Sequence, residues 1–342
     1  MSLKKVALLA SAALAASSVI LVVQPASGAL TTRCTGVAGA VSVPGNLVVP
    51  RNGPGGQPAS CTLEGTTVLG NVTVQAGADL LLEGADIRGN LIVQNDGYAD
   101  VIADSSIGGA VQGRSQFGVF VEESSVAGGI DQRNPQENEF APFVYTFDAD
   151  VDGGVVARAG ELLLESSVVD GDVTSVDGEY TDIVDTVIND RLTVRNNALG
   201  SVVCESEIYG NALYTGNGST LQIGGSGETG PCVGASFWGG DVTFNDNSAD
   251  VTGFVLANNI VRGDLAGSGN DPAATIGEGN RVRGELTLET APAMSMSRMM
   301  VQEEASVEVA ADRSDELQAK IAERRASAEK ASAKTPKSKA LS

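Results

Sequence analysis

Histidine is absent from this 342-residue chain, and aromatic residues make up only 4% of it. Without an imidazole group, neither a Ser-His-Asp nor a Cys-His catalytic arrangement can form, and no histidine is present to bind a metal. Any catalysis would therefore depend on carboxylates, Lys, Arg or Tyr. The absence of histidine also argues against a zinc site at the four cysteines, which lie far apart in the sequence.

Positive charge is scarce, because 22 Lys and Arg stand against 43 Asp and Glu, for a net charge of −21. An acidic surface repels nucleic acid and anionic membranes. We therefore expect no nucleic-acid partner. No apolar run after residue 23 reaches the ~18 residues that a membrane-spanning helix needs.

The N-terminus has the pattern of a bacterial secretory signal peptide. Lys4 and Lys5 precede an apolar run over 6–23, and small residues follow over 26–29. This order of a basic, an apolar and a small-residue region predicts cleavage after Gly28 or Ala29. We expect a secreted or cell-envelope protein, with the signal peptide at 1–28 and no membrane span after cleavage.

A unit of about 20 residues recurs about a dozen times and begins with a Gly-x-apolar corner. Within a unit, apolar residues alternate with a period of two, as at Val72 and Val74 and at Leu80 and Leu82. This alternation predicts short strands with one buried face, and glycine suits the corners between them. The sequence therefore predicts an all-β, right-handed parallel β-helix over 29–290. The corners are placed at Gly45, Gly70, Gly89, Gly109, Gly129, Gly154, Gly171, Gly210, Gly240, Gly263 and Gly284, with Arg191 once in place of glycine.

An Asn or Asp follows many of these corner glycines. In stacked coils these side chains would lie one above another and satisfy the backbone of the corners. We interpret them as a structural ladder rather than a ligand site. The ladder comprises Asn46, Asn71, Asn90, Asp172, Asn211, Asp241 and Asp264.

The four cysteines allow three pairings, and their spacing favours Cys34 with Cys61 and Cys204 with Cys232. Each bond would join neighbouring coils across an inserted loop, and the first would staple the N-terminal end of the solenoid. Disulfides also agree with export.

Two sets of residues are candidates for function. Asp150, Asp170 and Asp190 recur every 20 residues and could form a vertical carboxylate row for catalysis or calcium binding. The alternative is that they are solubilising surface charges. The candidate ligand contacts are the aromatic residues of two insertions, Phe140, Phe143, Tyr145, Phe147 and Trp238. These rings could instead fold back to cover an edge of the coil.

Residues 291–342 differ in composition from the repeat. A short helix is predicted over 312–333, followed by a disordered basic end at 334–339. Such a tail could hold an acidic cell-wall polymer, or the acidic body of another copy in self-association, or only add solubility.

The Gly-Asn-Val-x-Val corner at 70–74 and the Gly-Ala-x-Leu-x-Leu segment at 77–82 resemble exported bacterial proteins of the parallel β-helix class. More loosely, they resemble the polymer-forming bactofilins, which are cytoplasmic and have shorter coils. The resemblance implies architecture rather than activity, although the fold is shared with enzymes that cut acidic polysaccharides. We therefore expect a non-enzymatic structural or adhesive protein of the cell surface that needs no cofactor and contacts polysaccharide. The alternative is a polysaccharide lyase or hydrolase that uses the carboxylate row.

Overall fold

A computed structural model describes residues 30–133, 141–227, 230–291 and 318–342. The chain forms a parallel β-helix in which each coil gives one strand to each of three sheets. In the described residues, sheet 1 has 13 strands and sheets 2 and 3 have 12 each. The predicted solenoid of about a dozen coils is confirmed. The predicted signal peptide at 1–28 lies outside the described residues.

The strands are short, and their order repeats along the chain. Sheet 1 contains Thr31–Arg33, Asn46–Val49, Val72–Val74, Leu91–Val93, Val111–Arg114, Ile130–Arg133, Val155–Arg158, Val173–Val176, Leu192–Arg195, Ala212–Thr215, Val242–Asn245, Leu265–Ser268 and Leu286–Leu288. Sheet 2 contains Gly36–Ala38, Ser60–Glu64, Asp79–Glu83, Tyr98–Ile102, Gly118–Glu122, Phe143–Phe147, Glu161–Glu165, Tyr180–Val184, Gly200–Cys204, Gly218–Ile223, Ser248–Leu256 and Thr275–Ile276. Sheet 3 contains Ser42–Val43, Thr67–Val68, Asp86–Ile87, Ser106–Ile107, Ser125–Val126, Asp150–Val151, Val168–Val169, Val187–Ile188, Glu207–Ile208, Ser236–Trp238, Asn259–Val261 and Arg281–Val282.

Three helical segments accompany the strands in the described residues. An α-helix covers 318–332, and 3₁₀ turns cover Pro54–Gly56 and Lys337–Lys339.

The core lies inside the three sheets and consists of stacked apolar columns. Leu47, Val72, Leu91 and Val111 occupy equivalent positions in four successive coils of sheet 1, and all four are fully buried. Each buried Val or Leu contributes roughly 1.5–3 kcal/mol by leaving water. Since every coil repeats the pattern, the core runs the length of the solenoid.

Glycine marks the turn into sheet 1 because adjacent coils approach closely there. A Cβ atom on Gly89 would lie 2.6 Å from the carbonyl oxygen of Gly70 in the preceding coil. The predicted corners at Gly129 and Gly154 are wrong by one residue, since Gly128 donates its N–H to Gly109 and Gly171 donates to Gly153. In the following coil Asp190 takes this position, so the prediction of Arg191 there is also wrong by one residue. The backbone carbonyl of Asp190 accepts the N–H of Gly210.

The predicted Asn and Asp ladder is confirmed as architecture. Asn46 Oδ1 accepts the N–H of Asn71 at 2.9 Å, and Asn71 Oδ1 accepts the N–H of Asn90 at 2.8 Å. Each side-chain oxygen thus satisfies a backbone donor of the next coil. The same contact is made by Asn90, Asp172, Asn211, Asp241 and Asp264.

A second ladder lies in the interior and was not predicted. It is built from Asn197, Asn217, Asn247 and Asn270, which are at most 8% exposed. Asn217 Oδ1 accepts the N–H of Asn197 at 3.0 Å, and its Nδ2 donates to Asn247 Oδ1 at 2.9 Å. Buried amides are tolerated because each one is hydrogen-bonded to its neighbours.

Both predicted disulfides are present. Cys34 and Cys61 have Cα atoms 5.6 Å apart, and Cys204 and Cys232 have Cα atoms 5.3 Å apart. The first bond fixes the opening coils, and the second fixes the insertion that follows Ile223.

The interior ladder predicts a large cost for Asn217→Ala. The variant leaves the N–H of Asn197 without its acceptor and removes the Nδ2 donor to Asn247 Oδ1 and to the Val194 carbonyl. We therefore expect the free energy of unfolding to fall by about 2–3 kcal/mol. Urea unfolding measures this loss, with Asn95→Ala in an exposed turn as the control. Equal losses in the two variants would contradict the structural role of the ladder.

Candidate functional site

The three aspartates of the predicted carboxylate row lie in different columns of the solenoid. Asp150 pairs with Val168 in the next coil rather than with Asp170. Asp170 lies two residues after Val168, and its N–H donates to the carbonyl of Val151. Asp190 occupies the corner position, where its carbonyl accepts the N–H of Gly210. The prediction of one vertical row is therefore wrong, because the coils here are shorter than 20 residues.

The aromatic insertion is a strand over most of the predicted contact set. Phe143, Tyr145 and Phe147 belong to the sheet 2 strand Phe143–Phe147, so the prediction that they lie in an irregular loop is wrong. Phe143 and Tyr145 are at most 2% exposed, and Phe147 is half-buried. Phe140 lies outside the described residues.

Trp238 is a core residue. Its indole ring is 1% exposed, and its Nε1 donates to Asn259 Oδ1 at 2.9 Å. The expectation that an inserted loop presents this ring to a ligand is wrong, because the ring points into the solenoid from the sheet 3 strand Ser236–Trp238.

An aromatic platform covers part of the outer face of sheet 2. It consists of Tyr98, Phe117, Phe120, Phe143, Tyr145 and Phe147, whose neighbouring rings have centroids 4.9–6.5 Å apart. The helix 318–332 lies on this platform, and its Ile321 packs against the rings at 4% exposure. A cleft of about 300 Å³ remains between helix and platform, lined by Phe120, Glu122, Tyr145, Phe147, Gln318, Ile321, Ala322 and Arg325.

Two arginines of the helix bind aspartates that lie beside the aromatic platform. Arg324 Nε donates to Asp79 Oδ1 at 2.9 Å, and its guanidinium lies 4.3 Å from the centre of the Phe117 ring. Arg325 Nη2 donates to Asp100 Oδ1 at 3.0 Å, its Nε donates to Asp100 Oδ2, and its guanidinium lies 4.9 Å from the centre of the Phe120 ring. The Asp100 side chain is 0% exposed, and burial raises its pKa even though Arg325 opposes the shift.

The chain end continues over the first coils, and the predicted disorder of 334–339 is wrong. Lys337 Nζ donates to Glu64 Oε2 at 2.9 Å. Leu341 forms an antiparallel bridge with Cys34, and Ser342 exchanges backbone hydrogen bonds with Arg33. We call the helix and chain end, residues 318–342, the C-terminal clasp. It covers an edge of the first coil that would otherwise expose unpaired backbone groups.

The clasp is the unpredicted part of this surface. The sequence left open whether the basic segment holds a cell-wall polymer, holds another copy or only adds solubility, whereas the structure shows it bonded to carboxylates of its own chain. A sequence signal was available, since Arg324 and Arg325 are adjacent, but nothing in the sequence pointed to Asp79 and Asp100 as their partners.

Loss of one arginine should loosen the clasp. In Arg325→Ala the buried Asp100 carboxylate loses its partner, and breaking a buried pair from one side costs about 3–5 kcal/mol. We expect faster hydrogen exchange and proteolysis across 318–342, with Lys330→Ala, an exposed residue of the same helix, unchanged. Equal protection in both variants would show that the clasp does not depend on this pair.

A second polar cluster lies beside the platform. Glu161 Oε2 accepts hydrogen bonds from Tyr145 Oη at 2.5 Å and from Tyr180 Oη at 2.8 Å, and the two tyrosine hydroxyls also contact each other. We call Tyr145, Glu161 and Tyr180 the Glu161 cluster. Burial raises the pKa of Glu161 to about 7, the two tyrosines oppose this shift, and the neighbouring Glu179 carboxylate adds to it. Burial also raises the pKa values of both tyrosines.

A carboxyl group with a pKa near neutrality can donate or accept a proton at physiological pH. The tyrosines come from the two strands that flank the strand of Glu161 and fix its carboxyl group from two sides. Sequence reasoning missed this cluster, although Glu161 and Tyr180 occupy equivalent positions in consecutive coils.

The Glu161 cluster predicts a stability that changes with pH. The pKa in the folded state, about 7, exceeds the ordinary value of 4.5. The contribution of Glu161 is therefore fully present below about pH 4.5 and is lost as the pH rises through 7. We expect Glu161→Gln to unfold at a higher temperature than the parent at pH 8, with the two midpoints converging toward pH 4.5.

Thermal unfolding from pH 4.5 to 8 measures this difference, and Glu285→Gln at an exposed corner serves as the control. If Glu161→Gln and the control follow the same curve, the protonation of Glu161 is not linked to folding.

Acidic side chains also line an open cleft of about 430 Å³ at the turn between sheets 2 and 3, among them Asp104, Glu123, Asp148 and Asp150. Nevertheless, within the described part of the chain no three His, Cys, Asp or Glu side chains are placed to hold a metal ion. The expectation that the protein needs no cofactor, with calcium binding as the alternative, stays a prediction.

Comparisons with known proteins found no match: no family model, no curated protein and no solved structure resembles this chain at a significant level. The chain has the predicted parallel β-helix fold and both predicted disulfides, while the likeness to exported bacterial proteins and to bactofilins stays a prediction. Among the described residues, no helix has the length and apolar character to cross a membrane.

Proposed function

We propose that this protein is an exported structural or adhesive rod that contacts glycans at the cell surface or in the extracellular space. A β-helix with two disulfides fits an extracellular protein, because disulfides persist in oxidising compartments. The signal-peptide pattern at 1–28 supports the same location.

The main support for a structural role is that side-chain hydrogen bonds and the clasp link consecutive coils and distant parts of the chain. Side-chain ladders connect one coil to the next, and the clasp returns from the C-terminus to the first coil. Arg325 thus bonds to Asp100 across 225 positions of sequence. Such long-range closure suits a rod that must resist unfolding and proteolysis outside the cell.

A polysaccharide-active enzyme is the second candidate, and the Glu161 cluster favours it. In that role Glu161 would act as general acid or base near neutral pH, and Tyr145 and Tyr180 would hold its carboxyl group in place. The dispersed positions of Asp150, Asp170 and Asp190 give no support to catalysis by the predicted row.

A glycan panel distinguishes the two candidates. We expect residues 29–342 to bind one or more plant, microbial or host polysaccharides while releasing no new chain ends, with or without calcium. Release of chain ends that Glu161→Gln abolishes, and that Asp170→Asn with Asp190→Asn leaves intact, would establish the enzyme instead. Absence of any glycan binding would contradict the adhesive role.

A further inference from the structure

Arginine side chains form a column along the edge of sheet 1. The parallel register pairs Arg114 with Arg133, and Arg133 with Arg158. Val176 takes the same position in the next coil, and Arg195 in the coil after it. We call these four exposed arginines the arginine column. Neighbouring strands are ~4.8 Å apart, so four coil steps give a column roughly 19 Å long.

This stacking is unfavourable without an added anion, because like charges opposite one another on neighbouring strands repel. Arg133 is paired with Asp131 of its own strand, with its Nε 3.0 Å from Oδ2. Within the described ranges, the side chains of Arg114, Arg158 and Arg195 make no hydrogen bond or ion pair. Asp177, one residue beyond the column, instead accepts from Asn196 Nδ2 at 2.8 Å.

The remainder of the column carries uncharged hydrogen-bonding groups. Arg195 is followed by Thr215, Asn245 and Ser268 in successive coils. The column thus combines guanidinium forks with hydroxyl and amide groups along one straight line. Guanidinium groups bind carboxylate and sulfate groups through two parallel hydrogen bonds, while hydroxyls and amides suit the hydroxyl groups of sugars.

We propose that the arginine column binds a single extended chain of an acidic polysaccharide, which lies along the solenoid axis with its anionic groups on the guanidinium groups. The proposal rests on the proposed glycan-binding function and names its site and ligand class. Although the net charge of the chain is −21, the column brings three guanidinium groups without a described partner, those of Arg114, Arg158 and Arg195, onto one line.

The shape of the column favours a polysaccharide over a nucleic acid. The positive line is one side chain wide. In the adjacent outward row of sheet 1, Asp131 is paired with Arg133, and Val156, Thr174 and Thr193 are uncharged. A duplex would carry a second line of phosphates over the acidic remainder of the surface, which repels them. A single acidic glycan chain can follow the column alone.

Binding of defined polyanions to Arg114→Gln/Arg158→Gln tests the proposal. The probes are polygalacturonate for carboxylate, heparin for sulfate, dextran as the neutral glycan, and single-stranded oligo(dT) for nucleic acid. The control Arg262→Gln/Arg281→Gln makes the same change in net charge at exposed positions outside the column. We expect the parent to bind polygalacturonate or heparin, the column variant to bind ~10-fold more weakly with a shallower salt dependence, and the control to match the parent.

Because repulsion is removed, the column variant should melt at or above the parent temperature. If the column variant does not fold, the single variant Arg195→Gln gives the same comparison with a smaller loss of affinity. Three results would overturn the proposal: no binding of either acidic glycan at low salt, equal weakening in the control, or tighter binding of oligo(dT) than of both glycans. Binding of dextran alone would overturn the column but leave the adhesive function standing, whereas binding of no glycan would overturn both.

Discussion

Parallel backbone pairing between equivalent residues of consecutive coils is the constraint on which the rest of the structure depends. Once Leu47 lies beside Val72, and Val72 beside Leu91, the later strands of sheet 1 continue the same alignment, while sheet 2 shifts register once, between Ser219 and Leu221. Side chains of one kind then form columns, which become a core when they point inward and a surface when they point outward. The ladders stabilise this alignment, because each amide oxygen accepts from a backbone N–H one coil away.

The candidate functional features of this scaffold lie where the side chains of a column differ in charge or burial from the rest of the surface. The arginine column concentrates positive charge on an acidic protein, and the Glu161 cluster places a carboxyl group between tyrosines of the two flanking strands. The clasp uses the same property, because Asp79 and Asp100 lie in adjacent strands and present their carboxylates to two consecutive arginines. Stacking of the coils thus places chemically similar side chains from a weak sequence repeat next to one another in columns.

The sequence predicted the features that depend on local pattern: the coils, the Asn and Asp ladder and both disulfides. It did not predict the features that depend on the exact register between coils or on contacts between residues far apart in the sequence. The step from Gly153 to Gly171 is 18 residues, so a 20-residue period misplaced Asp170 and Asp190. The alternation Phe143-Val144-Tyr145-Thr146-Phe147 was a strand signal hidden beside an insertion, and the clasp depends on partners more than 200 positions away.

The distance between two spin labels in one column tests the register most directly. Gln94 and Ser268 are exposed residues at equivalent positions eight coils apart, and all four native cysteines are in disulfides, so labels attach only to Gln94→Cys and Ser268→Cys. At ~4.8 Å per coil, the account predicts a narrow distribution with the Cα atoms ~38 Å apart. A broad distribution, or a separation shorter by ~10 Å or more, which is two coil steps, would contradict a single register running through sheet 1.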